Sequence, residues 1–211
     1  MMKEKNDQKQ IKRNRVSKAK MMTQIAMLGA VAAVLMLFEF PLPFLAPSFY
    51  ELDLSEMPVL IGAFAMGPLA GAAIELLKIL LNFVLNGTVT AGIGELANFL
   101  MGCAFVVPAG LIYRRHKTKK TAVVGMIVGT LCMVAVSAVL NAYFLLPAYG
   151  KAYQMPIDAF VEMGHAIIPA IHDLFTFAMF CVVPFNLLKG VVVSIVTLVL
   201  YKHISRLLKG N

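Results

Sequence analysis

The chain is organised as long apolar runs separated by short polar segments. Met22 to Pro41, Ile93 to Tyr113, Thr121 to Leu146 and Val182 to Tyr201 are uninterrupted enough to supply the roughly 20 residues a helix needs to cross a hydrocarbon core of about 30 Å. A fifth run, Met57 to Leu85, is too long for one straight span and carries Gly67-Pro68 and Gly71 at its middle. Proline lacks the N–H of the helical ladder and glycine accepts turn geometry, so a break is expected there.

Charge decides how that run is counted. Basic residues gather in the N-terminal tail (Lys3 to Lys20), in the segment Arg114 to Lys120, and at Lys202, Arg206 and Lys209, which together hold sixteen of the nineteen Lys/Arg. Clusters of this kind mark cytosolic loops. With the tail and the 114–120 loop on one side, an even number of spans must separate them, so Met57 to Leu85 is two helices joined at Gly67-Pro68. The same parity after Lys120 leaves room for two spans and puts 147–181 outside, as a cap with a surface helix. The reading is an all-α integral membrane bundle of six transmembrane helices with both termini cytosolic: a basic tail over 1–20, then one membrane domain over 21–211, multi-pass in the cytoplasmic membrane. Its outer loops are 42–56, 86–93 and 147–181 and its cytosolic loop is 114–120.

Composition agrees and removes other classes. Sixty per cent of the residues are hydrophobic and only 14% charged, a balance soluble domains of this size rarely show. The net charge of +8 sits in the loop clusters rather than on an aromatic-dotted basic face, so nucleic acid is not the expected partner and the lipid bilayer is. Cys103, Cys132 and Cys181 lie in apolar stretches at spacings that suit neither a disulfide framework nor zinc. The apolar run after the tail is too long for a signal peptide and lacks a small-residue cleavage site.

Ionisable side chains inside spans are costly and face cavities or partners. Here they are Glu75, Lys78, Glu95 and Lys189, with the amides Asn82, Asn98, Asn141 and Asn186. Under the six-span topology they converge on the outer half, and Glu75/Lys78, Glu95/Asn98 and Asn186/Lys189 are each three apart on one helix face. Together with loop aromatics such as Phe44, Phe49 and Tyr50, they suit a flat, partly apolar ligand with a hydrogen-bonding edge. Other readings stand beside this one: Glu75 with Lys78 as a buried ion pair, single asparagines as interhelical hydrogen bonds, and Lys189 snorkelling outward. His165, His172 and Asp173 lack a further ligand at metal spacing, so no metal site is expected. Small residues four apart on the first span, Ala26 with Ala30 and Gly29 with Ala33, permit close helix approach, within the bundle or to a partner. No phosphate-binding loop, zinc-protease pair or nucleophile turn occurs, and Ser137 has no histidine within a span to activate it; an enzyme is not expected. Transport against a gradient would draw its energy from an ion or from another subunit.

Several ordered stretches are similar to the riboflavin-binding S components of energy-coupling factor (ECF) transporters: Leu52-Asp53-Leu54-Ser55-Glu56-Met57-Pro58, Gly67-Pro68-Leu69-Ala70-Gly71, Glu75-Leu76-Leu77-Lys78, Gly94-Glu95-Leu96-Ala97-Asn98 and Pro184-Phe185-Asn186-Leu187-Leu188-Lys189. The resemblance implies a six-helix S-component fold binding one vitamin near the outer face, with riboflavin as ligand and no cofactor. An S component for another vitamin or a flavin precursor is the alternative. Lys78, Asn141, Asn186 and Lys189 would contact the ligand, Leu52 would help enclose the ring, and Tyr50, Glu95 and Asn98 would complete the lining. The resemblance also implies docking of a transmembrane coupling subunit on the Ala26/Ala30 face, with two ATPase subunits supplying the energy. One departure is Ile79, where a polar asparagine would be expected.

Overall fold

A computed structural model describes residues 2–88, 90 and 92–209, with side chains over 18–88, 90 and 92–200. Most of the basic side chains of the tail and those of Lys202, Arg206 and Lys209 therefore lie outside the described residues, as do Met1, Val89, Ala91, Gly210 and Asn211.

Helix α1 runs over Met2–Met36, so the backbone of the basic tail continues into the first span without a break. Two-residue strands β1 (Phe40–Pro41) and β2 (Glu51–Leu52) pair antiparallel with Phe40 opposite Leu52. Then follow α2 (Glu56–Met66), α3 (Pro68–Asn86), α4 (Ile93–Arg115) and α5 (Lys119–Leu140). A π-helical turn, Asn141–Leu145, joins α5 to α6 (Leu146–Ala152). After α7 (Ile157–Ile167), α8 (Leu174–Phe177) leads through a second π-helical turn, Ala178–Val182, into α9 (Val183–Lys209).

Five stretches are long and apolar enough to cross a membrane: 18–36, 68–86, 93–115, 119–152 and 174–200. The sixth expected crossing is the short helix α2, whose 11 residues rise only about 16 Å. Its depth resolves the shortfall. Glu56, at the start of α2, meets Lys78 of α3, and Lys78 lies eight residues, about 12 Å, below the end of α3 at Asn86. The chain thus enters the bundle as the non-helical segment 53–55, and α2 covers the remaining half of the thickness. Irregular backbone is tolerated at that depth only where protein encloses it, and Asp53 and Ser55 are buried. Eight of the eleven α2 residues are buried as well, which is why α2 is apolar all round. The predicted break is where it was expected: Gly67, at φ +105°, takes a backbone conformation that favours glycine, and Pro68 opens α3.

Two boundaries differ from the sequence reading. The fifth span continues to Ala152 instead of ending near Leu146, and the last begins at Leu174 instead of near Val182. The outer segment 147–181 shrinks accordingly to the connection 153–173, which contains the expected surface helix, α7. Pro147 lies in the segment expected outside the membrane and Pro184 near the expected start of the last span. In an α-helix a proline ring collides with the carbonyl four residues back; those residues are Tyr143 and Phe180, each the middle residue of a π-helical turn. The widened turns, closed by Leu146 N–H to Asn141 O and Val183 N–H to Ala178 O, move that carbonyl aside and let both helices run through.

Packing is layered. An inner core joins Val59, Leu60, Phe64, Ile74, Phe105, Tyr113, Met126 and Val193, and an outer core joins Leu52, Leu146, Phe160, Ile171, Phe177 and Phe185. Buried polar side chains, among them Asp53, Glu56, Glu75, Lys78, Asn141 and Asn186, lie in and around the space between them. Leu69, Val84 and Phe144 are among the large apolar side chains left on the outside, where hydrocarbon rather than water is their solvent.

Candidate functional site

A cavity of about 450 Å³ occupies the end of the bundle opposite the Arg114 to Lys120 segment. Its wall draws on the ends of α1, α3 and α4, the first connection, the first π-helical turn with α6, and the start of α9. Aromatic groups (Phe49, Tyr50, Tyr149, Tyr153, Phe185) and amides (Asn82, Asn86, Asn98, Asn141, Asn186) share its lining. A volume within the 300–1,000 Å³ range typical of small-molecule sites, apolar faces and a few convergent polar groups are the ordinary features of such a site.

The polar groups are held by local geometry. Asn141 donates from Nδ2 to Ser137 O at 2.8 Å, a turn back on its own helix, and its Oδ1 accepts from the Tyr50 hydroxyl at 2.5 Å. That bond ties the first connection to the start of the π-helical turn, and burial pushes the Tyr50 phenol well above its ordinary range. Asn186 donates to Val182 O at 3.0 Å, leaving Oδ1 without a protein hydrogen bond among the described residues. Lys189 Nζ donates to Asp53 Oδ2 at 2.7 Å, and Asp53 Oδ1 accepts from Ser55 N–H at 2.6 Å. Since an ammonium carries three donors, Lys189 keeps two beyond Asp53.

Glu95 Oε2 accepts from the hydroxyls of Thr88 (3.1 Å) and Thr90 (3.3 Å), and Thr90 Oγ1 in turn accepts from Gly94 N–H. The turn between α3 and α4 thereby fixes a carboxylate at the cavity edge. Glu39, half-buried just past α1, lies beside Glu51 and Asp53. Burial, then the charges of Glu51 and Asp53, with a further rise from a hydrogen bond to Glu51, push its carboxyl up to about 7, while Lys189 draws it partly back.

Of the residues singled out from sequence, Tyr50, Glu95, Asn98, Asn141, Asn186 and Lys189 line this one cavity, and Leu52, Lys78 and Phe44 do not. Leu52 is buried in the outer core, whereas Phe44 is 73% exposed. Lys78 lies below the site, its Nζ 2.8 Å from Glu56 Oε1 and 2.8 Å from Glu75 Oε1. The Glu56 contact is an aligned hydrogen bond; the Glu75 contact is an ion pair without that alignment. The ion-pair reading of Glu75 and Lys78 thus describes their geometry, with Glu56 as an additional partner. Sequence reasoning missed the lining carboxylates Glu39, Glu51 and Asp53, together with Asn86 and Thr90.

His165 and His172 have ring centroids 5.6 Å apart, but Asp173 is engaged in capping α8 through Thr176, and among the described residues no group of three or more His, Cys, Asp and Glu is arranged to hold a metal. On α1, Gly29 is buried against Leu77 of α3 and Ala33 is buried too, whereas Ala26 and Ala30 face outward. One small-residue pair packs the bundle; the other is free of it.

The family described as "ECF transporter, substrate-specific component" matches residues 20–201. The riboflavin transporter RibU of Staphylococcus aureus (strain TCH60) is 35% identical over 190 residues, covering 90% of this chain and 93% of the relative. The riboflavin transporter FmnP of Bacillus subtilis (strain 168) is 31% identical over 180 residues, 85% and 88% of the two chains. Among solved structures, the S component of a bacterial ECF transporter superposes with a TM-score of 0.72 at 34% identity, covering 92% of this chain and 99% of that one.

Proposed function

The chain belongs to the family of substrate-specific components of ECF transporters, and from that premise we propose that its cavity binds riboflavin from the outer side of the cytoplasmic membrane. The family is one of transport, not of enzymes, and the protein is its substrate-binding, multi-pass membrane subunit. The observation that carries the ligand is the composition of the cavity wall: amides and an ammonium line one space together with aromatic rings. An isoalloxazine ring presents apolar faces and an edge of alternating acceptors and donor, which Asn186 Oδ1, the free donors of Lys189 and the Asn141–Tyr50 pair match in kind. The names of the two relatives support the same ligand. The ribityl hydroxyls suit the polar side formed by Asn82, Asn98 and Glu95. Leu52 acts from behind, holding the first connection over the site, and Lys78 acts by fixing the floor through Glu56.

The partners proposed are a transmembrane coupling subunit seated on the outward Ala26/Ala30 face and two ATPase subunits behind it. The tail and the 114–120 loop face the cytosol, and the cap over 42–56 and 153–173 faces out.

The test is an absorbance spectrum of detergent-purified protein, then titration of stripped protein with riboflavin while flavin fluorescence is followed. Stoichiometric quenching, weakened in Asn141→Ala and Lys189→Ala, is the expected result. Protein that carries no flavin and quenches none would overturn the ligand assignment and favour a different vitamin.

A further inference from the structure

The charges around the cavity are lopsided. Glu39, Glu51, Asp53 and Glu95 line it, against Lys189 as the one cationic side chain among the described lining residues. Lys189 is already matched: its Nζ is 2.7 Å from Asp53 Oδ2, and its side chain is 11% exposed. Lys78, the other ammonium of the region, is off the wall and flanked by two carboxylates. Subtracting the Asp53–Lys189 pair leaves three carboxylates, Glu39, Glu51 and Glu95, facing the space without a cation. They are held there by structure. Glu95 is fixed by two threonine hydroxyls, and Glu51 is carried by the short strand pair opposite Pro41, two residues from Glu39.

We propose that Glu39, Glu51 and Glu95 form an acidic rim that sets the charge selectivity of the site, favouring a neutral flavin over its 5′-phosphate monoester. A phosphate monoester carries nearly two negative charges at neutral pH, and in a partly desolvated cavity like charges repel far more strongly than in water. The usual means of accepting a phosphate, an arginine fork or a helix N-terminus with unpaired amides, is not offered: among the described residues no arginine lines the cavity, and at the start of α4 the N–H of Gly94 is taken by Thr90 while Glu95 supplies a negative charge. Glu39, its carboxyl pushed up to about 7 by burial and by the charges of Glu51 and Asp53, adds a dependence on pH. Lys189 is the other charged group acting on it, and as pH rises past 7 the rim gains charge and selectivity for the neutral ligand increases.

This inference rests on the flavin reading, and the experiment separates the two. Stripped full-length protein is titrated with riboflavin and with riboflavin 5′-phosphate, at low salt and at about 0.5 M salt, for wild type, the double variant Glu39→Gln/Glu51→Gln, and Glu95→Gln. The readout is the ratio of the two dissociation constants. Expected is a wild-type preference for the unphosphorylated ligand that shrinks about tenfold in Glu95→Gln, which stands on the ribityl side, shrinks also in the double variant, and narrows in wild type at high salt as screening shortens the reach of the rim. Equal wild-type affinities, or a ratio unmoved by the variants and by salt, would overturn the rim while leaving the flavin site intact. Binding of neither ligand would remove both. The salt series on unaltered protein keeps the test decisive should a variant fail to fold.

Discussion

Lys78 holds two buried carboxylates, Glu56 and Glu75, at 2.8 Å each, and removing it would leave both without a counter-charge beneath the cavity. Lys78→Met should cost on the order of 3–5 kcal/mol, the usual penalty for breaking a buried pair from one side, whereas Glu75→Gln keeps the aligned Lys78–Glu56 bond and should cost much less. Melting of the purified proteins in detergent distinguishes these; a Lys78→Met protein as stable as wild type would mean that the carboxylates are not charged there. Glu39 yields a pH prediction. Its carboxyl is raised to about 7 in the folded protein from an ordinary 4.5, so the folded state binds this proton more tightly, and the stability it contributes at low pH is lost as pH rises through 7. Between pH 5 and 8 wild type should lose stability relative to Glu39→Gln, and parallel curves for the two proteins would refute the raised Glu39 carboxyl. Asn141, Asn186 and Lys189 could be read from the sequence because a polar group inside an apolar run is costly enough to require a reason. Glu51 and Asp53 could not, because acids are unremarkable in outer loops and only the inward turn of 53–55 turns Asp53 into part of a buried wall; Glu39, two residues from the end of its apolar run, reads only as a span terminus.

The same contrast holds for elements. The break at Gly67-Pro68 was legible since both residues enforce it locally, and the parity of the basic clusters gave the helix count. The true ends of the last two long helices were not, since Pro147 and Pro184 signal termination wherever the preceding turn is α-helical, and nothing in the sequence shows that Tyr143 and Phe180 sit in widened turns. Those turns matter to the site. Asn141 opens the first, while Asn186 follows the second by four residues and donates to its last carbonyl, Val182. Two helices widened beside the same cavity, each carrying an amide into or next to the distortion, fit the association of π-helical turns with functional positions. Replacing Pro184 by alanine removes the steric need for the second turn and restores a residue of high helix propensity. Pro184→Ala should therefore keep or raise thermal stability yet bind riboflavin at least several-fold more weakly, because relaxation to α geometry changes the register of Asn186 and Lys189 against the outer core. Unchanged affinity would show that the turn persists without the proline.

At the scale of the whole molecule, the cavity and the outward face of α1 are set at different depths and do different work. Ala26 and Ala30 lie below Met36, the first α1 residue of the cavity wall, by six residues or more of continuous helix, about 9 Å, and neither touches the site. Gly29, on the neighbouring face of the same helix turn, is where α1 meets Leu77 of α3. A bulky residue at Ala26 or Ala30 therefore meets lipid or a partner, while one at Gly29 meets the bundle itself. The double variant Ala26→Leu/Ala30→Leu should fold and bind riboflavin like wild type when purified alone, yet fail to support riboflavin uptake in cells that depend on this transporter. Gly29→Leu should instead lower the melting temperature of the isolated protein, since its side chain overlaps Leu77. The pairing gives the test its force: loss of uptake with intact binding assigns the outward face to the coupling subunit, and loss of both in the Ala26/Ala30 variant would assign that face to the bundle's own packing.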